Sequence, residues 1–313
     1  MKKHKKNILA ILPVSIGGRL TTSSLIAGFE QNKCNVTVYD ELFDDNLSEV
    51  LSKDYDYIAG YDFSGLKIKI DNNLQIPSIN YFSDDIRSNT SGKEWAKYLP
   101  YLEAEDNYTF YWDKQLTDCE NFKNIYYLPH FVNLDVYQDF GVKPEFDIMF
   151  AGRLDTDYRL DFFEELVMKM PQLKVAWYAI DRHYKDARER AKYPDIIDLC
   201  YMGFIDNEPD MAHAINNTKI VFNMHSQGLS SLNYRTFQTA ACKRLMITDY
   251  RDELALFEGY MPFYEDMSDL IFKTENYLED EEAYKTITEN CYNIVRQSHN
   301  SKDCVRYLLS VLK

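Results

Sequence analysis

Ile220-Val221-Phe222-Asn223-Met224-His225-Ser226-Gln227-Gly228-Leu229-Ser230-Ser231-Leu232-Asn233-Tyr234-Arg235-Thr236-Phe237-Gln238-Thr239-Ala240-Ala241-Cys242-Lys243-Arg244-Leu245-Met246-Ile247-Thr248-Asp249 is the stretch on which the reading of this chain turns. It runs from a short apolar segment through a polar loop containing one glycine into a helix, a tight turn and a second apolar segment. That is the pattern of a strand, a crossover helix and a parallel strand.

The same unit recurs on both sides. Upstream, Ile8 to Val14 is a continuous apolar run followed by Gly17-Gly18, with Thr21 and Thr22 as expected helix caps and Leu25, Ile26 and Phe29 on one helical face. Val36 to Tyr39 follows as the next strand, and runs at 57–59, 79–82, 108–111 and 125–129 extend a sheet expected to be covered on both faces. The stretch 133–145 suits a linker. A second series then begins with a strand at 146–150, a Gly152-Arg153 turn and a helix at 158–170. Further strands are expected at 175–180, 199–202, 220–223 and 245–248, with helices around Ala187, Met211 and Phe237 and three more closing the chain. The expectation is two doubly wound α/β domains facing a cleft, and in such sheets ligands bind beyond the carboxyl ends of the strands.

Composition narrows the partners. Fifty Asp+Glu against 35 Lys+Arg leave a net charge of −15 over 313 residues, which disfavours duplex nucleic acid as a ligand. The segment 251–290 alone holds twelve acids and three bases, a net of −9, so an anionic small molecule can still dock among arginines elsewhere. Six scattered cysteines without a C-x-x-C pair suit free thiols, and with no run near the roughly 20 apolar residues of a membrane span, a cytoplasmic protein is expected. The basic Lys2 to Lys6 end leaves room for peripheral contact with a membrane surface.

A polar loop that ends at a helix start offers backbone N–H groups and the helix dipole to phosphate oxygens. Ser230, Ser231 and Asn233 are natural caps there, and Arg235, one turn in, can add a guanidinium fork to the same anion. On these residues alone, an ordinary capped crossover helix is the simpler account.

The residues around that helix carry a resemblance. Arg235-Thr236-Phe237-Gln238-Thr239-Ala240-Ala241-Cys242, followed by a strand into Thr248-Asp249, resembles the carboxy-terminal signature of GT-B glycosyltransferases, in particular the group 1 transferases and the spore-maturation CgeB-like proteins. Asp147 to Arg153 with Arg159 is similar to the family's second-domain opening strand, glycine turn and arginine. Tyr201-Met202-Gly203-Phe204-Ile205 resembles the loop that holds the nucleobase, Tyr127 to Asp135 the interdomain segment, and Ile79 to Asp85 an aromatic-acidic strand end of the first domain. The fragments fall in the family's order over most of the chain. Two positions depart from it: Gln238 stands where a ribose-binding glutamate is usual, and Lys243 where a glycine commonly follows the Ala-Cys pair.

The resemblance implies a GT-B fold of two Rossmann-like domains, 1–140 for the acceptor and 141–313 for the donor, with the last helix packing back on the first domain. It implies sugar transfer from a UDP- or GDP-linked donor to a carbohydrate, lipid-linked or protein acceptor, as in polysaccharide biosynthesis, with neither a metal nor a cofactor. The diphosphate would lie between Arg153, Arg159 and the helix start near Ser231, the ribose near Gln238, and the nucleobase against Met202, Gly203 and Phe204, with His225 touching the sugar or diphosphate. Gly17 and Gly18 would let backbone approach a ligand closely. Asp84 or Asp85, after a first-domain strand, would serve as general base in an inverting reaction or as a charge-stabilising group in a retaining one. Asp54-Tyr55-Asp56 and Asp155-Thr156-Asp157 match the Asp-x-Asp metal pattern, but such matches arise by chance in so acidic a chain. Two other functions fit the same architecture: a non-catalytic nucleotide-sugar or glycan-binding protein, which the neutral Gln238 suggests, and a nucleotide-sugar epimerase.

Overall fold

The structure, a computed structural model, describes residues 5–82, 99–117, 123–226 and 230–312. The chain divides into two compact units: Met1–Asn133 with Leu229–Ser231 and Ser298–Lys313, and Leu134–Gly228 with Leu232–Gln297.

The first unit carries β1 (Asn7–Leu12), α1 (Ile16–Gln31), β2 (Asn35–Asp40), α2 (Leu47–Leu51), β3 (Tyr57–Tyr61), α3 (Ser64–Asp71), β4 (Ser78–Phe82), α4 (Leu99–Leu102), β5 (Asn107–Tyr111), α5 (Lys114–Thr117) and β6 (Ile125–Tyr127). Its strands are all parallel, in the order β2-β1-β3-β4-β5-β6. Successive residues of β1 enter different cores: Ile8 packs with Phe29, Phe110 and Val305, whereas Leu9 and Ile11 pack with Val50, Ile58 and Ile68. A sheet buried on both faces needs the continuous apolar runs seen in the sequence. The C-terminal helix Ser301–Val311 packs on α1 so closely that a Cβ at Gly28 would lie 2.3 Å from Val305 Cγ2 and 2.5 Å from the Ser301 carbonyl oxygen.

Thr21 and Thr22 are not caps. Helix α1 begins earlier, with Ser15 at its cap position and Gly17 and Gly18 inside the first turn, because the helical pattern extends through both glycines. The two threonine hydroxyls donate back to the Gly17 and Gly18 carbonyls at 3.1 and 2.7 Å.

The second unit carries β7 (Phe146–Ala151), α6 (Asp157–Lys169), β8 (Val175–Tyr178), α7 (Asp181–Arg190), α8 (Pro194–Cys200), α9 (Glu208–Asn216), β9 (Thr218–Asn223), α10 (Tyr234–Ala241), β10 (Leu245–Asp249), a 3-10 turn (Asp252–Phe257), β11 (Phe263–Tyr264), α11 (Met267–Glu279) and α12 (Glu281–Ser298). Its parallel sheet has the order β11-β10-β9-β7-β8. One expected strand is a helix: Leu199 and Cys200 close α8, and only Tyr201 bridges to Trp177 before the chain turns at Gly203, φ +95°. The helical spacing explains it, since Ile197 and Cys200 are buried one turn apart while Leu199 is 77% exposed.

Candidate functional site

In the second sheet, the strand order reverses between β7 and β9, which is where an open parallel sheet leaves a crevice at its carboxyl edge. Among the segments that leave this edge are 152–156 after β7, the one beginning at Met224 after β9, and the one beginning at Tyr250 after β10.

Arg159 enters from the first turn of α6, where Thr156 caps the helix by accepting the Arg159 backbone N–H at 3.3 Å. Its side chain lies over the Phe150 ring, 5.7 Å from the centroid, and its nearest carboxylate oxygen, on Asp155, is 3.9 Å from Nε, too far for a hydrogen bond. Arg159 is only 7% exposed, yet Nε and Nη1 have no hydrogen-bond partner. Burial pulls its pKa down, opposed by the charges of Asp155 and Asp249. Buried guanidinium donors without acceptors are costly unless an anion completes them. A Cβ at Gly152 would lie 3.2 Å from Phe150 Cζ, a tight contact, and 3.6 Å from Arg159 Nη2, an ordinary one.

Beside it, His225 is clamped at both ring nitrogens. The Asn233 backbone N–H donates to Nε2 at 3.1 Å, which assigns the proton to Nδ1, and Nδ1 donates to Asp249 Oδ1 at 2.6 Å. Burial lowers the imidazole's pKa, and protonating Nε2 would break the Asn233 bond. Burial alone would raise the Asp249 carboxyl, but the His225 hydrogen bonds and the Arg251 charge outweigh it and hold it at about 2. Arg251 Nη2 donates to Asp249 Oδ2 at 2.7 Å. Asn233 caps α10 by accepting the Thr236 N–H at 3.3 Å, and its Nδ2 donates to Asn223 Oδ1 at 2.8 Å.

Arg235 and Gln238 form a separate group on α10. Arg235 Nη1 donates to Gln238 Oε1 at 2.6 Å, while Gln238 Nε2 donates to the Tyr137 hydroxyl, so both ends of the buried amide are engaged within the protein. Burial lowers the Arg235 pKa.

Residues 159–310 match the family model described as glycosyl transferase-like. Among solved structures, the chain is similar to a sucrose-phosphate synthase from Thermosynechococcus elongatus at 11% identity, TM-score 0.72, covering 98% of each chain. HepE from Anabaena, in complex with UDP and glucose, matches at 13% identity and TM-score 0.71, covering 98% of this chain and 99% of the other. An alpha-glucosyltransferase in complex with UDP-glucose and abasic DNA matches at 13% and 0.69, covering 99% and 100%. No curated protein matches the chain. The chain has the GT-B fold.

The remaining expected residues of the GT-B chain fall in several places. Arg153 is exposed and pairs with Asp155 at 3.4 Å, on the same loop as Arg159. Met202 and Phe204 are exposed on a loop held by Met202 N–H to the Trp177 carbonyl, 2.9 Å, and Ala179 N–H to the Gly203 carbonyl, 3.0 Å. Ser230 and Ser231 do not cap α10; their hydroxyls donate to Asp113, and Asn233 takes the cap because it is the residue directly ahead of the helix. Gly18 is a packing glycine, since a Cβ would lie 2.7 Å from Tyr61 Cδ1, whereas nothing comes within 4 Å of a Cβ at Gly17. Asp84 and Asp85 lie outside the described residues.

Three of the four Asp-x-Asp carboxylates are engaged within the protein. Asp56 accepts the Asn7 N–H at 2.7 Å, Asp155 faces Arg153 and Arg159, and Asp157 pairs with Arg190 at 3.0 Å. Among the described residues no group of three or more His, Cys, Asp and Glu could hold a metal ion, and no helix is long and apolar enough to cross a membrane. Sequence reasoning did not single out Asp249 or Arg251. The signal for Asp249 was its place at a strand's carboxyl end; Arg251 gave none beyond proximity to it.

Proposed function

We propose that the protein transfers a sugar from a nucleotide-sugar, UDP-linked in the first instance, to a hydroxyl of a glycan, lipid-linked or protein acceptor. The carrying observation is the buried Arg159 with two unanswered N–H donors at the switch point of the second sheet. Cleavage of the anomeric C–O bond leaves the electron pair on the departing diphosphate, and preorganised donors stabilise that charge without reorganising. Arg159, with Arg153 on the same loop and the α10 start behind Asn233, supplies them in this account; no metal is invoked. The nucleobase rests against Met202, Gly203 and Phe204. Asp84 or Asp85 receives the acceptor proton.

His225 acts in this reading by holding the α10 start, since Asp249 and Asn233 occupy both its ring nitrogens. The UDP named with HepE and with the alpha-glucosyltransferase supports the choice of donor. The latter's DNA is not carried over, because a net charge of −15 opposes a polyanion. Assignment to the CgeB-like group, a cytoplasmic setting and a role in polysaccharide biosynthesis belong to the same proposal.

Gln238 favours one second reading, nucleotide-sugar binding without transfer, because its amide is neutral and already engaged by Arg235 and Tyr137. Thermal-shift measurements across nucleotides and nucleotide sugars, followed by product assays, separate the two. Stabilisation by UDP and UDP-glucose with release of UDP on adding acceptor upholds transfer; stabilisation with no turnover on a broad acceptor set selects the binding reading. No stabilisation by any nucleotide contradicts both.

A further inference from the structure

The amino edge of the second sheet, opposite the candidate donor crevice, opens into a cavity of about 520 Å³. Lys219 at the start of β9, Arg244 just ahead of β10 and residues between 139 and 144, ahead of β7, line one part of it. The end of α11 and the first turn of α12 line the rest. The volume falls in the range of about 300–1,000 Å³ that small-molecule sites occupy.

Both cations of the lining are paired within the protein: Arg244 Nη1 donates to Asp139 at 3.3 Å and Lys219 Nζ to Asp147 at 2.7 Å. The Tyr284 hydroxyl donates to the Lys219 carbonyl at 2.7 Å, which leaves its ring as the contact surface. The rest of the lining is apolar or acidic. Tyr277, Leu278 and Tyr284 pack against the second core while half-buried, and Val142 is 44% exposed. Glu279 and Glu281 are exposed, and α11 ends at Glu279, so the negative end of its dipole adds to their charge. An anion is therefore disfavoured. A small amine would meet its carboxylates in water, where such pairs are weak. A neutral ligand with an apolar face and several hydroxyls suits the whole lining, its CH groups against the tyrosine rings and Leu278 and its hydroxyls donating to the two glutamates. We infer that this cavity binds a neutral sugar unit of a glycan, at a place separate from the donor crevice. The transfer reading gives that binding a use, holding one stretch of glycan while another reacts and so adding to acceptor affinity. The binding itself does not rest on that reading.

The test is calorimetric titration of the whole protein with maltotriose, cellotriose and triacetylchitotriose, with spermidine and inorganic phosphate as controls, each with and without saturating UDP. At least one trisaccharide is expected to bind with a Kd of about 1 mM or tighter, at the same affinity when UDP is present. V142R fills the opening from an exposed position, and E279A/E281A removes the hydroxyl acceptors. All three positions are exposed, so both variants are expected to keep the parent's melting temperature. Each is expected to weaken trisaccharide binding at least about tenfold and to leave UDP affinity as in the parent.

Binding of none of the trisaccharides, displacement of a bound one by UDP, or unchanged affinity in either folded variant would overturn the inference, as would binding of spermidine or phosphate in their place. A parent protein unresponsive to UDP counts against the transfer reading, while the trisaccharide titrations of parent and variants still decide what the cavity holds.

Discussion

Two buried arginines of the second unit sit at opposite ends of the same sheet and differ in one respect. Arg244, just ahead of β10, is 8% exposed and all three guanidinium nitrogens are engaged: Nε with the Asn216 carbonyl, Nη1 with Asp139 and the Cys242 and Lys243 carbonyls, Nη2 with the Val142 carbonyl. Arg159, beyond the end of β7, is 7% exposed and has two nitrogens with no acceptor. The fold satisfies one buried guanidinium thoroughly and leaves the other incomplete. Arg244 ties its neighbours together; the proposed function gives Arg159 the donor's diphosphate.

The sharpest way to break this contrast is to exchange the consequences. R159A is expected to lower turnover of the nucleotide-sugar by about a hundred- to a thousandfold, as loss of a preorganised donor does, while its melting temperature stays level or rises. R244A is expected to do the reverse. Removing it strands Asp139 and several carbonyls, at a cost of about 3 kcal/mol in denaturant unfolding given Asp139's partial exposure, with nucleotide affinity of the folded protein unchanged. If R159A melts early and R244A loses binding, the assignment is inverted.

Acid titration adds a second test, because buried groups elsewhere in the fold carry pH-dependent stability. His299 is pushed by burial down to about 4, and His225 is lowered as well, so both are neutral in the fold while the unfolded imidazoles take up protons below about 6.5. Stability should therefore be level above pH 6.5 and fall as the pH drops towards 4, by about 2–3 kcal/mol for His299 alone. Asp249 acts in a lower window, its contribution fading only as the pH falls from about 4 towards 2. H299F should flatten the upper slope. The smallest effect expected is from N233A, which removes the α10 cap at a cost of about 1 kcal/mol in urea unfolding.

How far the sequence carried this account depended on the range of the interaction. Continuous apolar runs marked β1 to β5, β7, β9 and β10 to within a few residues, because a parallel sheet buried on both faces admits little else. The run 199–202 misled: with Cys200 apolar and Leu199 exposed, four residues cannot separate a strand from the last turn of a helix. The two-residue β11 was too short to leave a pattern. At the candidate site, the Asn233 cap was legible because helix starts are where caps belong; Arg159 and His225 were expected at the donor, and the structure shows a buried guanidinium with two unpartnered nitrogens and an imidazole engaged at both ring nitrogens. What was not legible is who holds whom. That Asp249 takes His225, that Tyr137 takes Gln238 and that Asp113 takes the serines assigned as caps are choices made across 24, 101 and 118 residues, and local spacing is silent on them.

The most direct test of the central claim is calorimetric titration of UDP into the parent protein, R159A and R244A at equal ionic strength. The account predicts that R244A, wherever it remains folded, binds UDP as the parent does, while R159A loses at least about tenfold in affinity, the share of a charge-assisted hydrogen bond. Equal affinity in the parent and R159A would contradict it.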